Sequence, residues 1–263
     1  MRVMLPQANN CLLHQLISLM VIDSSALVTD IVRTNYRTAD VFKKWGINYC
    51  CGGNLPLAEI CRMQQLDVAV VEADLQKAVQ TIPISNQLSF QNWPISFLVD
   101  YILHVHHTYL HATLPALQSL VHTFVKGHKR KHGYLENIEN TFVSLCGLLN
   151  DQLQHEEAVV FPYCKQICNT YERKEAYGGL FVRTLGKSLD TQLEAGNNAL
   201  APLLERLRSE TNGYTFAAGA CTNHQVIYHK LKELDADLVQ HKHLENNILF
   251  PRVLRMEKAL RQL

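Results

Sequence analysis

The sequence lacks three features, and each absence excludes a class of protein. It has almost no excess charge, since 25 basic residues face 24 acidic ones, whereas a nucleic-acid partner requires a basic face that displaces counterions. It contains no run of about eighteen apolar residues, so we expect no membrane span. It also lacks the regular alternation of apolar and polar residues that predicts strands. The sequence therefore favours an all-α protein that binds neither nucleic acid nor membrane.

Cysteine is present, but its distribution argues against a disulfide framework. The eight cysteines are scattered along a long chain, a pattern that fits reduced thiols in the cytoplasm. Residues 11–22 are rich in apolar side chains, but His14 and Gln15 interrupt them and Arg2 is the only early charge, a pattern that argues against a secretory signal. We therefore expect a cytoplasmic protein and interpret residues 1–19 as an extension that precedes the first domain.

The remaining chain divides into two predicted domains. Residues 20–80 indicate a small helical domain around the Cys-Cys-Gly-Gly run at 50–53. Residues 81–93, with a proline and many amide side chains, are expected to be a linker. Residues 94–263 carry long amphipathic patterns with short connections, which predict an antiparallel four-helix bundle.

The apolar spacing predicts the helices of both domains. Four bundle helices are expected at about residues 94–124, 132–160, 179–208 and 215–249, and two shorter helices at 57–63 and 68–79. Gly186 and Gly196 weaken the third bundle helix, and Pro115 is a candidate kink in the first.

An internal repeat lies inside the predicted bundle. Residues 156–162 (EEAVVFP) match residues 245–251 (ENNILFP): each has a glutamate, two variable residues, two aliphatic residues and Phe-Pro. We expect the proline to end the regular helix in both cases. The bundle then consists of two similar helical hairpins, each closing on a glutamate.

The last bundle helix carries the first candidate ligands. His241 and Glu245 are four residues apart and therefore point from one face, with Asp237 a further turn back. Such a pair can hold one metal ion, or its carboxylate can bridge two, as in the cores of di-iron bundles. The alternative is a surface face on which the histidine and the glutamate have no common role.

The first bundle helix is dense in histidine. His104, His107 and His111 share one stripe that leucines flank, so we expect this stripe to face the core, whereas His106 should point away from it. Buried imidazoles need partners, and a metal ion would satisfy them. The alternative is a set of core histidines that are hydrogen-bonded to one another and to the backbone.

The second bundle helix repeats the glutamate but not the histidine. Glu156 is the repeat partner of Glu245, whereas the position that corresponds to His241 is Gln152. An amide offers only a weak carbonyl oxygen to a metal. His132 opens this helix and is either a further ligand or a loop residue.

Cys50 and Cys51 form a vicinal pair in a glycine-rich loop. Two thiols among small neighbours can bind a metal or exchange disulfides. The alternative is that both cysteines are inert.

Taken together, these motifs resemble the repair-of-iron-centres family of di-iron proteins (the ScdA/YtfE type). This family couples a small Cys-Cys-Gly-Gly domain to a hemerythrin-like four-helix bundle. The motifs that carry the resemblance are RTADVF at 37–42, GINYCCGG at 46–53, LAEIC at 57–61, HHTYL at 106–110 and the two Glu-to-Pro repeats. The resemblance covers about residues 25–255.

The resemblance implies two non-haem irons that are held by four histidines and two bridging glutamates. Position by position, it makes His107 and His241 ligands and Glu156 and Glu245 the bridges. It also places His132 near the site.

This sequence departs from that family pattern at two positions. Gln152 replaces the histidine of the second bundle helix, and Gln192 falls where the third helix should supply one. No histidine occurs between residues 156 and 223. We therefore expect either one iron or two, the second case requiring His104, His111 or His132 to compensate. The alternative is an empty site in which the two glutamines are hydrogen-bonded to the remaining histidines and glutamates.

The resemblance implies a function in restoring iron–sulfur clusters after nitrosative or oxidative damage, with damaged iron–sulfur proteins as clients and iron donation as one route. Cys50 and Cys51 would contact a partner or pass metal. The sequence shows no general acid–base pair and no activated nucleophile, so it does not indicate a conventional enzyme. Two alternatives stay open: a degenerate bundle that senses O₂ or nitric oxide or only binds a partner, and a nitric oxide reductase, which needs two irons. A homodimer formed through the N-terminal module also stays open.

Overall fold

The structure is a computed structural model, and it divides the chain into two compact units, Met1–Ile84 and Ser85–Leu263. It describes residues 22–50, 53–80, 88–175, 177–184, 188–194 and 199–262. The expected extension 1–19 and the first half of the expected linker lie outside the described residues.

The smaller unit consists of four short helices around an apolar core. They are α1 (Val28–Thr34), α2 (Thr38–Lys44), α3 (Leu57–Met63) and α4 (Val68–Val79). The bounds of α3 and α4 confirm the sequence prediction. Helix α2 ends at Lys44, two residues before Gly46, whose φ of 69° lies in the left-handed region that favours glycine. Phe42 of α2 and Leu57 of α3 are fully buried.

The larger unit is built from α-helices, three of which run directly into π-helical segments. Its elements are α5 (Ile95–Tyr101), π1 (Ile102–His107), α6 (Thr108–His128), α7 (Leu135–His155), π2 (Glu156–Val160), α8 (Phe161–Glu172), α9 (Gly178–Thr184), α10 (Leu189–Glu194), α11 (Leu200–Glu210), α12 (Thr222–His243), π3 (Leu244–Leu249) and α13 (Phe250–Arg261). The predicted all-α fold is confirmed. None of the described helices is both long and apolar enough to cross a bilayer.

The helices on either side of each π segment are continuous, which corrects the expectation that Pro162 and Pro251 end their helices. Each proline is the second residue of the following helix, α8 or α13. Proline lacks the N–H that would bond to a carbonyl one turn earlier, and the π turn before each proline already interrupts the i→i−4 hydrogen bonds. The wider π turn thus resets the hydrogen-bond register, and the chain continues as a helix past the proline.

The third bundle helix differs from the single helix expected over residues 179–208. The described residues form α9, α10 and α11 instead, with Ser188 and Ala199 outside any helix. Glycine costs about 1 kcal/mol relative to alanine in a helix, and Gly186 and Gly196 lie in the sequence between these three helices. Helix α11 packs on α7, and α9 and α10 pack on α13.

The bundle contains two apolar cores. The first joins α6, α7, α11 and α12 and includes Phe142 and Leu145. The second joins α5, α8 and α13 and includes Leu98 and Ile167. Because burying one such side chain contributes about 1.5–3 kcal/mol, both cores hold the helices in register. The three π segments lie at one level of the bundle, and their buried apolar residues belong to the second core.

Candidate metal centre

Four potential ligands converge at the level of the π segments. His107 is the last residue of π1, Glu156 the first of π2, His241 lies in the last turn of α12, and Glu245 lies in π3. All four are at most 3% exposed, and one donor atom from each lies within 4.8 Å of the others. π turns are common at functional sites, and here each one turns a ligand towards the middle of the bundle.

The donor atoms are spaced as the ligands of one metal ion would be. His107 Nε2 lies 3.3 Å from His241 Nε2 and 3.4 Å from Glu156 Oε2, and His241 Nε2 lies 3.0 Å from Glu245 Oε1. Donors that share a metal at about 2.1 Å stand about 3.0–3.4 Å apart in tetrahedral or octahedral geometry. Imidazole and carboxylate together suit iron. These four residues therefore fit one non-haem iron.

A lysine neutralises part of the charge of this cluster. Lys242 Nζ donates to Glu245 Oε2 at 2.6 Å and to Glu156 Oε1 at 2.9 Å. Its side chain is only 15% exposed, and a buried ammonium is costly unless it is paired. Lys242 therefore ties together the two glutamates, which come from different helices.

Glu157 contacts the ring nitrogen of His107 that faces away from the cluster. Its Oε1 lies 2.8 Å from His107 Nδ1 and also 2.8 Å from Nε2 of His111. A carboxylate on the outer nitrogen fixes the tautomer and orientation of a ligand histidine, and it raises the basicity of the nitrogen that faces the metal. Glu157 thus directs His107 Nε2 towards Glu156 and His241.

A third histidine, His106, lies against the cluster without joining it. Its Nδ1 is 2.9 Å from Asp237 Oδ1, and its ring stacks on that of His241 with centroids 5.5 Å apart. His106 is 1% exposed, so the expectation that it points away from the core is wrong. Asp237 therefore pairs with His106, rather than with His241 on its own helix.

The local charges shift the pKa values of the cluster in the directions that keep it ionised. Burial raises the pKa of Glu245, but His241 and Lys242 outweigh it and hold that pKa below its usual value. Burial lowers the pKa of Lys242, whereas the two carboxylates raise it above 10.5. The pKa of His107 is likewise raised by Glu156 and Glu157 against the effect of burial. Glu245 is thus available as an anionic ligand at neutral pH.

The expected inward stripe of His104, His107 and His111 is corrected. His104 is exposed, and the His111 side chain is 48% exposed, reaching the cluster only through Glu157. The cause is π1, which contains His104 and His107. A π turn holds more residues than an α turn, so the α-helical spacing misassigned which of these histidines point inward.

His132 does not lie near the cluster. It is exposed and lines a cavity of about 660 Å³ with His128, His224 and Cys221. This cavity lies beyond the far end of α6 from His107, and α6 is about 30 Å long at 1.5 Å per residue. The position suggested for His132 by the family resemblance is therefore wrong for this chain.

The structure describes the side chain of Gln152 but only the backbone of Gln192. Gln152 Nε2 donates to Glu156 Oε1 at 2.9 Å, so this side chain contacts a ligand through its N–H rather than as a ligand itself. Gln192 lies in α10, and its side chain is outside the described residues.

Cys50 is half-buried, and its backbone N–H donates to Asn48 Oδ1, whereas Cys51 lies outside the described part of the chain. The role expected for the two thiols stays a prediction.

Three residues of the centre were missed by sequence reasoning. Lys242 was passed over because only metal-ligating residue types were sought, although its place three residues before Glu245 is a usable signal. Glu157 was visible as the doubled glutamate of the first repeat. His106 had no signal, because only the π turn brings it inward.

Comparison with known proteins agrees with this architecture. The profile of the ScdA_N family, described as a domain of unknown function (DUF542), matches residues 24–79. The profile of the Hemerythrin HHE cation binding domain matches residues 98–253. Proteins named "Iron-sulfur cluster repair protein YtfE" from Escherichia coli O157:H7 and Escherichia fergusonii are each 30% identical over 221 residues, covering 84% of this chain and 93% of theirs. The chain therefore belongs to the ScdA/YtfE-type family, which joins an ScdA_N domain to a hemerythrin HHE cation-binding domain.

Proposed function

We propose that this protein binds non-haem iron through His107, Glu156, His241 and Glu245, and that it serves in the repair of damaged iron–sulfur clusters. The observation that carries the proposal is the buried cluster of two imidazoles and two carboxylates with metal-ligand spacing. The family membership supports iron as the metal, and the printed name of the relatives supports cluster repair as the purpose.

Each residue of the centre has a defined part in this proposal. Iron, when bound, supplies a redox-active ion that a damaged cluster can take up. Glu157 orients His107, and Lys242 neutralises part of the charge of Glu156 and Glu245. A site with few imidazoles and a nearby cation holds iron less firmly than a full set of six ligands would, which favours donation over permanent storage.

The partners in this proposal are damaged iron–sulfur proteins of the cytoplasm under nitrosative or oxidative stress. Cys50, with Cys51, provides the thiols that would contact the client or pass metal to it. Sensing of O₂ or nitric oxide at the same iron is the second candidate function, because it needs the same ligands but no client. Nitric oxide reduction requires two irons and is therefore decided by the metal stoichiometry.

Iron content and repair activity together test the proposal. The full-length chain is purified anaerobically, loaded with ferrous iron, desalted and analysed by elemental mass spectrometry. It is then mixed with a [4Fe–4S] hydratase that nitric oxide has inactivated. We expect bound iron and recovery of hydratase activity beyond that given by the same amount of free ferrous iron.

The matched control is His241→Ala, compared with His132→Ala at the distant cavity. We expect the first variant to lose both iron and repair, whereas the second keeps both. Absence of bound iron from the wild type would refute iron binding. Bound iron without recovery of the hydratase, but with a new iron–nitrosyl absorption, would favour the sensor.

A further inference from the structure

The position of Lys242 distinguishes it from Lys165, another paired lysine of the bundle. It lies directly after His241 and three residues before Glu245, at the join between α12 and π3. Its ammonium is enclosed by carboxylate oxygens from two helices, Glu156 Oε1 and Glu245 Oε2. Lys165, in contrast, pairs with Asp100 at the surface.

The four carboxylate oxygens of the centre face two different groups. Glu156 Oε2 and Glu245 Oε1 lie beside His107 and His241, at 3.4 and 3.0 Å. The other oxygen of each glutamate binds Lys242. Each carboxylate therefore bridges the two-histidine position and the ammonium, as a carboxylate in a di-iron bundle bridges two metal ions.

The groups that contact the glutamates on the Lys242 side are hydrogen-bond donors. Gln152 Nε2 donates to Glu156 Oε1, the same oxygen that Lys242 binds. Ammonium and amide N–H groups have no lone pair for a metal, and a dication beside them would meet a like charge without gaining a ligand. Histidine at position 152 would instead have offered a nitrogen there.

We propose that the Lys242 ammonium takes the place of a second metal ion, so that this centre holds a single iron. The proposal rests on the proposed iron binding and specifies its stoichiometry. One dication and one ammonium already exceed the charge of the two glutamates. A second dication would have to displace Lys242 from both carboxylates and would find no imidazole on that side among the described residues.

Metal counting and electron paramagnetic resonance test the proposal without an activity assay. The wild type, loaded with excess ferrous iron and desalted, should hold one iron per chain. After oxidation, an isolated high-spin ferric ion should give a signal that integrates to one spin centre per chain, whereas a coupled iron pair is silent. The double variant Lys242→Ala/Gln152→His should approach two irons, a twofold rise, and lose most of that signal.

The matched control is Lys165→Ala/Gln152→His, which keeps Lys242 and should stay at one iron. Two irons in the wild type would overturn the inference about Lys242 and leave the proposed iron binding intact, whereas no iron would overturn both. A folded double variant that stays at one iron would also overturn it. Circular dichroism reports folding, and if the double variant does not fold, the wild-type count and spin integration decide.

Discussion

Residues 156–162 and 245–251 follow the same course through the bundle, and comparing them shows where this centre is asymmetric. Each run begins with a buried glutamate, passes through a π segment and enters a helix whose second residue is proline. Four and three residues before the glutamate, the second repeat has His241 and Lys242, whereas the first has Gln152 and Leu153. Leu153 is buried in the first apolar core.

The comparison shows that the two repeats share a backbone course but differ in the side chains that contact the glutamate. The shared π turn and proline deliver a carboxylate to the same level from both helices. The side chains one turn earlier then differ: Glu245 binds an imidazole and an ammonium from its own repeat. Glu156 accepts an amide N–H from its own repeat and contacts His107 and Lys242 from other helices. The first repeat contributes instead Glu157, whose counterpart Asn246 has no carboxylate to offer a histidine.

The largest expected effect comes from Glu245, the fully buried glutamate of the second repeat. Glu245→Gln keeps the shape but removes the negative charge that binds both His241 and Lys242. Removing one partner of a buried ion pair costs about 3–5 kcal/mol, and a neutral amide is a poor iron ligand. We expect a loss of bound iron by elemental analysis and a fall of that size in the free energy of unfolding by urea.

Glu257→Gln is the matched control for this loss. Glu257 is also buried, but it pairs with Arg261 on α13 and accepts the backbone N–H of Leu189. This variant should lose stability and keep its iron. If Glu245→Gln retained a full complement of iron, the second repeat would not be the main anchor of the metal.

The next effect concerns Glu157, which only the first repeat possesses. Glu157→Gln weakens the contact to His107 Nδ1 without touching a ligand atom. Loss of such an outer partner reduces metal affinity about 10–100-fold. Competition with a chromophoric chelator measures this affinity, and Asn246→Ala at the equivalent place of the second repeat should leave it unchanged. Equal affinities in wild type and Glu157→Gln would show that His107 does not need its partner.

A smaller effect is expected at Asp237, one turn before His241. Asp237→Asn still offers His106 an oxygen but removes the charge from this hydrogen bond, so the free energy of unfolding should fall by about 1 kcal/mol. The equivalent position of the first repeat is Leu148, a half-buried side chain against the first core. Iron content by elemental analysis should not change, because His106 is not a ligand. A parallel loss of iron would place His106 in the metal site.

Only part of the fold and of the metal centre could be predicted from the sequence. The repeat, the buried glutamates, His241 and the all-α bundle followed from spacing, since amphipathic period and Glu-to-Pro runs are local patterns. The π segments could not be predicted from spacing, because they depend on which backbone carbonyl each N–H bonds to. They place His106 in the interior and His104 at the surface. Lys242 became visible only when two helices were brought together, since its partners lie 3 and 86 residues away.

The smallest expected effect is at His132, which the family resemblance placed near the metal. Its ring is exposed, contacts Tyr134 with centroids 5.8 Å apart and faces the cavity beyond the far end of α6. Surface substitutions away from a buried network change stability by less than about 0.5 kcal/mol, so His132→Ala should match the wild type in iron content and urea midpoint. A loss of half the iron in this variant would mean that the open end of the bundle also holds metal, and that the two repeats account for only part of the binding.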